Sequence, residues 1–291
     1  MISPIFILGN PRSGTTLLRL MLNNHRNIMI PPECGFVVWW YEKYKHWDAS
    51  LSRDAEKLAN FIDDLMTSRK IDTWNLDPSE LREYISREQP CSYSELVSCI
   101  YQFFGQSTGR EFKRWGDKNN FHVGFVTTIF TIFPNCCFVH IVRDGRDVAC
   151  SYRTVMRSSI VSKYRPRLPT DIHEVAAEWR ANLLKVIKAF DEIGWEKVLE
   201  IRYEDLVSYF ETELRRLCAY LGEPYDDDML KYYEVNRIKQ LEPAEFLQWK
   251  AKTLEKPTDS EVGKFKRELS PAEIRDFNRE AGDLLRRYGY R

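Results

Sequence analysis

An apolar run that leads directly into a glycine-rich loop and a helical pattern constrains this chain more than any other feature. Ile5–Leu8 is a short apolar block, which predicts a strand buried on both faces of a parallel sheet. Residues 9–16, Gly-Asn-Pro-Arg-Ser-Gly-Thr-Thr, have the G-x-x-x-x-G spacing of a nucleotide phosphate loop. Thr15–Asn23 then predicts a helix with apolar residues along one side. This order predicts an α/β fold whose loop binds a phosphate-like anion through amides at the helix N-terminus.

The loop carries one cation, and it is not where a nucleoside triphosphatase needs it. Arg12 lies inside the loop. The hydroxyl groups of Ser13, Thr15 and Thr16 add hydrogen-bond donors to the backbone amides. The residue after Gly14 is Thr15, whereas an ATP or GTP hydrolase uses a lysine there to reach the β- and γ-phosphates. The loop therefore predicts an anionic ligand other than a magnesium-bound triphosphate.

The rest of the chain continues the alternation of strands and helices. Residues 39–110 have a helical pattern rich in charge and aromatic rings, which predicts a helical insertion that caps the site on the acceptor side. We therefore predict one domain over residues 1–291, built on a P-loop-type parallel sheet flanked by helices. The further predicted strands are 137–142 and 198–203, and the further helices are 146–155, 172–193 and one that begins with the capping box at 270–273.

Composition excludes some classes of partner. The 43 basic and 43 acidic residues cancel, so no overall field draws the protein to nucleic acid or to an anionic membrane, and any anion must be held locally. The longest stretch without charge, 119–142, is interrupted by Pro134 and Asn135, which favours a helix, a turn and a buried strand over a membrane span.

The N-terminus and the cysteines indicate the compartment. The chain enters an apolar strand by residue 5 without a charged leader region or a cleavage site, so we expect no secretory signal. The seven cysteines contain no C-x-x-C pair, which favours free, mostly buried thiols in a reducing compartment. Both features predict a cytoplasmic protein.

Two segments resemble the nucleotide-binding motifs of one enzyme family. Residues 11–18 resemble the 5'-phosphosulfate loop of sulfotransferases that use 3'-phosphoadenosine 5'-phosphosulfate (PAPS), most closely in the branch of bacterial and protein-tyrosine sulfotransferases. Residues 142–152 resemble the 3'-phosphate motif of the same family. The resemblance implies PAPS as donor, 3',5'-adenosine bisphosphate (PAP) as product and no metal. It also implies that Arg143 and Ser151 hold the 3'-phosphate, a role suited to the forked donors of arginine.

Weaker matches extend the resemblance towards the C-terminus. Residues 203–206 are similar to the family's strand-end motif, which implies that Tyr203 lies near the adenine. Residues 260–264 are similar to the loop that closes over the nucleotide phosphates, which implies roles for Ser260 and Lys264. A lysine and a serine in such a stretch also fit a solvated loop with no role.

The resemblance also implies a catalytic set of Glu33, Lys118 and Arg12. In similar sulfotransferases a glutamate at the offset of Glu33 from the phosphate loop is the general base. The apolar surroundings of Glu33, after two prolines, predict partial desolvation and a raised pKa. Lys118 resembles the family lysine that contacts the transferring group, and with Arg12 it would stabilise the leaving phosphate.

Other interpretations of these residues remain open. Glu33 also fits an acid that caps a following helix, and Lys118 also fits a surface lysine paired with Asp117. Relatives with a histidine base leave His46 and His122 as candidates, whereas His25 and His140 fit structural roles. The aromatic residues that could line an acceptor pocket, or form core, are Trp39, Trp40, Tyr41, Tyr44 and Trp47.

The predicted function is sulfuryl transfer from PAPS to a hydroxyl or amine group, with a small molecule favoured as acceptor. Two alternatives share the strand, loop and helix: a P-loop kinase of small molecules, and a non-catalytic nucleotide-binding protein of the same fold. Binding of PAP without magnesium would favour the first function, and magnesium-dependent binding of ATP would favour the kinase.

Overall fold

A five-stranded parallel sheet forms the centre of the protein. The computed structural model describes residues 3–290. The strands stand in the order β2-β3-β1-β4-β5, and every neighbouring pair is parallel. Their bounds are β1 Ile5–Leu8, β2 Ile28–Met29, β3 Arg114–Lys118, β4 Cys137–Val142 and β5 Val198–Arg202. The predicted α/β fold is therefore confirmed.

Helices cover both faces of the sheet. The helices before β3 are α1 Thr15–Asn23, α2 Phe36–Trp39, α3 Tyr41–Tyr44, α4 Ala49–Arg53, α5 Ala55–Met66, α6 Pro78–Glu88 and α7 Tyr93–Ser107. Those after β3 are α8 Val126–Ile132, α9 Gly145–Arg157, α10 Ile172–Ile193, α11 Tyr203–Ser208, α12 Phe210–Leu221, α13 Tyr232–Lys239, α14 Ala244–Lys250, α15 Phe265–Glu268 and α16 Pro271–Arg287. Short 3-10 helices lie at Ile71–Trp74, Asn120–Gly124, Trp195–Lys197, Asp227–Lys231, Ala251–Leu254 and Asp259–Glu261.

Strand β1 is buried on both faces, as its apolar sequence predicts. Phe6 and Leu8 contact the core shared with the cap helices, whereas Ile5 and Ile7 point to the opposite face and contact α1 and α12. Gly9 ends the strand where only glycine fits, because a Cβ atom there would lie 2.8 Å from the carbonyl oxygen of Ile141. The phosphate loop is thus fixed against β4.

The predicted insertion is helical throughout. Residues 36–107 contain α2 to α7 and no strand, and side chains of Asp48, Asp54, Asp77 and Ser92 cap four of these helices. Such caps satisfy backbone amides locally, so the insertion reads as helical from sequence alone. The assignment of residues 1–291 to one domain stays a prediction.

The sequence analysis does not predict two of the strands, β2 and β3. β2 has only two residues, too few for any periodicity. β3 has the sequence Arg-Trp-Gly-Asp-Lys, which looks like an exposed turn, yet its last four residues are buried. Its charged groups can be buried because they have partners: Asp117 accepts a hydrogen bond from Tyr101, and Lys118 pairs with Glu33.

Several smaller predictions are confirmed. Helix α16 begins with the predicted capping box between Ser270 and Glu273. The seven cysteines are free, and five of them are buried. Residues 119–142 form α8 and β4 separated by a turn. Within residues 3–290, no helix combines the length and the apolarity that crossing a membrane requires.

Candidate active site

A large cleft lies at the carboxyl ends of the strands, where ligands of open parallel sheets bind. Its volume is about 1730 Å³, and its walls include residues that follow each of the five strands. Glu33 comes after β2, Lys118 ends β3, and Arg143 follows β4. The phosphate loop, the cap and the segments 154–168 and 248–268 also contribute to the lining. The fold therefore gathers most of the predicted site residues in one place.

The phosphate loop has the backbone that an anion site needs. Gly14 adopts φ +95°, and a Cβ atom at this position would lie 2.6 Å from the ring of Tyr203. Arg12 also has positive φ, at 66°. The hydroxyl of Ser13 is buried and has no hydrogen-bond partner among residues 3–290, whereas Thr15 donates to Asn120 over 3.0 Å. An orphaned hydroxyl beside a helix N-terminus is suited to an anionic ligand.

Arg12, Arg143 and Ser151 meet, although 139 residues separate the first from the last. Arg12 Nε donates to Ser151 Oγ over 3.2 Å, and Arg143 Nη1 donates to the Arg12 carbonyl over 3.1 Å. Burial, and then the nearby charge of Arg143, lower the pKa of Arg12 to about 10. Arg143 Nε is buried without a partner in the described part of the chain. Two crowded guanidinium groups with donors to spare form a site for a polyanion.

Tyr203 packs against Arg143. The guanidinium carbon of Arg143 is 4.3 Å from the centroid of the Tyr203 ring. Burial raises the pKa of Tyr203, so its hydroxyl stays protonated. The residue begins α11 directly after β5 and lines the cleft beside Gly14. Proximity to an adenine stays a prediction.

Ser260 and Lys264 belong to a loop that covers Arg143. Lys264 is buried and pairs with Glu261 over 2.7 Å, whereas Ser260 is exposed and bonds Thr258. The Glu261 carbonyl accepts from Arg143 Nη2 over 2.9 Å. The interpretation of this stretch as a wholly solvated loop is thus wrong for Lys264, while the phosphate contacts of both residues stay predictions.

Glu33 is held between two lysines. Lys118 Nζ donates to Oε2 over 2.7 Å, and Lys70 Nζ donates to Oε1 over 2.9 Å. The side chain of Lys118 is 1% exposed and that of Glu33 is 13% exposed. Burial by itself would raise the pKa of Glu33, but the charges of Lys118, Lys70 and Lys250 outweigh it and hold that pKa well below its ordinary value. The expectation of a raised pKa is therefore wrong for this structure, because the lysines come from parts of the chain that a local sequence argument omits.

The simpler interpretations of Glu33 and Lys118 are also wrong. Helix α2 begins after Gly35 without a side-chain cap, so Glu33 does not cap it. Lys118 points into the cleft, whereas Asp117 accepts a hydrogen bond from Tyr101 over 2.8 Å. Successive side chains of a strand point to opposite faces, which separates Lys118 from Asp117. Burial raises the pKa of Asp117 to about 7.

No histidine lines the cleft within residues 3–290. His122 is fully buried, and burial lowers its pKa to about 3. His46 is exposed on the cap. His25 bonds the Pro224 carbonyl and His140 bonds Glu200, in agreement with the structural roles predicted for both.

The aromatic residues predicted to line a pocket or form core, Trp39, Trp40, Tyr41, Tyr44 and Trp47, do not all lie in the same place. Trp39 is 42% exposed, lines the cleft and stacks on Phe121 with ring centroids 5.4 Å apart. Trp47 is buried against Phe61. Trp40 donates its indole N–H to Ser68. Of the five predicted aromatics, Trp39 is the one that contributes to the lining.

Sequence reasoning missed three residues of the site. Lys70 contacts Glu33 from the cap, Asn120 accepts from Thr15, and Lys250 enters the cleft from the C-terminal part of the chain. None belongs to a motif, and a lysine in a charge-rich helical region gives no signal of its own. Only the distances between elements identify them.

Known proteins resemble this chain in sequence. The profile of the sulfotransferase family matches residues 4–227. Protein-tyrosine sulfotransferase A of Caenorhabditis elegans is 22% identical over 231 residues, which are 79% of this chain and 53% of that protein. Omega-hydroxy-beta-dihydromenaquinone-9 sulfotransferase Stf3 of Mycobacterium bovis is 26% identical over 75% of this chain and 62% of its own length. The chain thus spans less than two thirds of each of these two relatives.

Solved structures share the fold. The sulfotransferase domain of the Synechococcus PCC 7002 olefin synthase superposes with a TM-score of 0.60 at 20% identity, over 96% of this chain and 95% of that domain. Mouse sulfotransferase SULT7A1, solved with PAP, has a TM-score of 0.51 at 14% identity, over 98% of this chain and 84% of its own. The profile match over most of the sequence, together with this fold, establishes that the chain belongs to the sulfotransferase family.

Proposed function

We propose that this chain transfers a sulfuryl group from PAPS to a hydroxyl or amine group of a small-molecule acceptor in the cytoplasm, with Glu33 as the general base. One observation carries the proposal. A single cleft joins the anion site of Arg12, Arg143 and Ser151 to a carboxylate held by two lysines. The two halves of the reaction, holding a polyanionic donor and removing a proton, require these two groups.

The residues of the anion site fit the donor. The 3'-phosphate would take the free donors of Arg143 and the hydroxyl of Ser151, and the 5'-phosphosulfate would take Arg12, the loop amides and Ser13 Oγ. Buried donors without partners support this assignment, because they are costly unless a ligand satisfies them. Gly14, Thr15 and Thr16 complete the loop, and Tyr203, Ser260 and Lys264 contribute the adenine side and the covering loop.

The transfer needs one proton acceptor and a stabilised leaving group. The acceptor O–H or N–H gives its proton to Glu33 while the acceptor atom forms a bond to sulfur. The bond between sulfur and the bridging oxygen of the 5'-phosphate breaks, and PAP leaves with that electron pair. Lys118 and Arg12 supply positive charge to the leaving phosphate, so the proposed reaction uses no metal.

Donor binding would also activate the base. Lys118 and Lys70 hold Glu33 in a form that binds protons weakly. The sulfuryl and phosphate oxygens of PAPS compete for the same ammonium groups, and each lysine drawn towards the donor raises the pKa of Glu33. A general base works best when its pKa approaches the operating pH. The base therefore becomes effective only when the donor is in place.

The test is thermal unfolding with PAP, run in parallel with ATP plus magnesium. A ligand that binds only the folded state raises the melting temperature, by an amount equivalent to about 2.7 kcal/mol at a hundredfold excess over Kd. We expect PAP alone to raise the melting temperature and ATP plus magnesium to have little effect. Arg143→Ala should abolish the PAP effect, whereas Arg157→Ala, an exposed arginine at the end of α9, should retain it.

Turnover separates the remaining possibilities. PAPS labelled in its sulfuryl group should transfer label to members of a panel of phenols, alcohols and amines. Stabilisation by ATP plus magnesium but not by PAP would replace the proposal with the kinase. PAP binding without label transfer to any hydroxyl or amine would leave a non-catalytic nucleotide-binding protein.

A further inference from the structure

A buried chain of charges runs from the helix after the phosphate loop to the wall of the cleft. Glu242 pairs with both Arg19 and Lys250. The side chains of Glu242 and Arg19 are each 1% exposed, and that of Lys250 is 8% exposed. Arg19 belongs to α1, and Lys250 is the last residue of α14. Arg19 and Glu242 lie 223 residues apart in the sequence.

The same arginine also fixes the segment that carries Glu33. Arg19 Nη1 donates to the carbonyl of Ile30 over 2.9 Å, and Nη2 donates to the carbonyl of Leu241 over 3.1 Å. Ile30 directly precedes Pro31, Pro32 and Glu33. One side chain thus sets the relative position of the predicted base and of the segment that bears Lys250.

Lys250 reaches the lysine cluster around Glu33. Lys250, Lys70, Lys118 and Glu33 all line the cleft. The ring of Phe246 contacts two of these lysines, with its centroid 5.1 Å from Lys70 Nζ and 4.7 Å from Lys250 Nζ. The charge of Lys250 acts with those of Lys118 and Lys70 to lower the pKa of Glu33.

Stability alone does not account for three buried charges at this position. Charged groups lose hydration when they are buried, and well-packed apolar residues often replace such groups without loss of stability. Here the charges end at the cleft, next to the carboxylate that the proposed reaction requires.

We infer that Lys250 is a positioning residue for the proposed sulfuryl transfer: Glu242 and Arg19 hold its ammonium group towards the Glu33, Lys118 and Lys70 cluster, where it controls the protonation of Glu33. This inference rests on the function proposed above. The charged groups that act on Lys250 are Glu242 before α14, Lys118 from β3, Glu33 after β2 and Lys70 after α5, and Arg19 from α1 pairs with the same Glu242.

The sign of the effect follows from charge. A protonated Lys250 opposes transfer of the acceptor proton to Glu33, and a neutral Lys250 favours it. Burial lowers the pKa of Lys250 to about 7, although the charge of Glu242 favours the protonated form.

The experiment compares neutral and charged substitutions of Lys250. Lys250→Met and Lys250→Gln remove the charge, and the second keeps a hydrogen-bond donor for Glu242 in case the first fails to fold. Lys250→Arg keeps the charge. Lys239→Met is the matched control, because Lys239 is an exposed lysine of α13 outside the cleft lining.

The first readout is the carboxyl ¹³C resonance of Glu33, assigned by its loss in Glu33→Gln and titrated with pH. We expect Glu33 to protonate at a pH about one unit higher in the neutral variants than in the wild type, with Lys250→Arg and Lys239→Met close to the wild type. The second readout is kcat against pH, whose acid limb should move in the same direction. PAP affinity should change less than threefold, since Lys250 acts on Glu33.

Failure of the inference and failure of the proposed function give different results. An unchanged Glu33 titration in the neutral variants over the pH range in which they stay folded overturns the role of Lys250, whatever the activity. A shifted titration in a protein that transfers no sulfuryl group supports the role of Lys250 and rejects the proposed function. A fall in melting temperature with an unchanged Glu33 titration reduces Lys250 to a structural residue.

Discussion

At the scale of the residue, Glu33 illustrates how neighbours outweigh burial. A carboxylate that is 13% exposed would ordinarily bind protons more tightly than in water. Two ammonium groups within 3 Å reverse this, and a third, that of Lys250, lies 4.7 Å from the centroid of the Phe246 ring. These charges therefore hold the pKa of Glu33 well below its ordinary value.

Replacement of Glu33 by Gln separates proton transfer from donor binding. Glu33→Gln removes the proposed base, so kcat should fall by about 10²–10⁴, the usual contribution of general base catalysis. Loss of its negative charge leaves Lys118 and Lys70 free for the donor, so PAP should bind at least as tightly as before. Steady-state kinetics and calorimetric titration with PAP measure the two effects.

A matched substitution tests whether loss of any glutamate in the cap lowers turnover or PAP affinity. Glu83→Gln changes an exposed glutamate of α6 in the same cap and should leave both quantities unchanged. If Glu33→Gln lost PAP affinity in proportion to turnover, Glu33 would be part of the donor site instead of the base.

At the scale of the element, helix α9 holds the loop that covers the arginines. The carboxylate of Asp147 accepts from the amides of Gly263 over 2.7 Å and Phe265 over 2.9 Å. Through this contact the segment with Glu261 and Lys264 is placed over Arg143. The motif that supplies Arg143 and Ser151 thus also anchors the covering loop.

Removal of that anchor should loosen the loop. Asp147→Ala leaves two amides unpaired, at a cost of about 1–3 kcal/mol for each one that stays buried. We expect PAP affinity to fall by about tenfold, which equals 1.4 kcal/mol. Trypsin should cleave faster after Lys264, and saturating PAP should restore protection.

The control for this change is Asp283→Ala, which removes an aspartate of α16 whose side chain is 53% exposed. It should leave PAP affinity and proteolysis as in the wild type. Equal proteolysis of Asp147→Ala and the wild type would mean that the loop is held by its other contacts.

At the scale of the whole molecule, a chain of zero net charge concentrates cations in one cleft. Among residues 3–290, thirteen lysines and arginines line it against four glutamates. The residues outside the cleft therefore carry a net negative charge. Local concentration suits a polyanionic ligand and keeps the protein as a whole without a field that would attract nucleic acid.

Stability should depend on pH through a group outside the cleft. The pKa of Asp117 is raised by burial to about 7 in the folded protein, against about 3.9 for a free aspartate. Between these values the folded state binds the proton that the unfolded state has lost, so this contribution to stability decreases as pH rises towards 7. Asp117→Asn does not titrate and can still accept from Tyr101.

The measurement is thermal unfolding of both proteins from pH 5 to pH 8. The melting temperature of Asp117→Asn relative to the wild type should rise across this range. A difference that stays constant with pH would show that Asp117 does not change its protonation there.

Local sequence determined the parts of this protein that short segments build for themselves. The strand, loop and helix at residues 5–23 follow from apolar spacing and glycine positions, because a buried strand and a helix N-terminus need only neighbouring residues. Arg143 and Ser151 were predicted from the resemblance of residues 142–152 to a family motif, in which the two lie eight residues apart. The cap helices follow from their own caps.

Tertiary structure alone decided the charge state of the site. Glu33 contacts Lys70 and Lys118 from 37 and 85 residues away, and Lys250 comes from α14, where it pairs with Glu242 and through it with Arg19. The sequence of β3 resembles a polar turn, because the residues that pair with its buried charged groups are distant along the chain. Electrostatic energy depends on distance in space and on burial, and the spacing of residues along the chain determines neither of them.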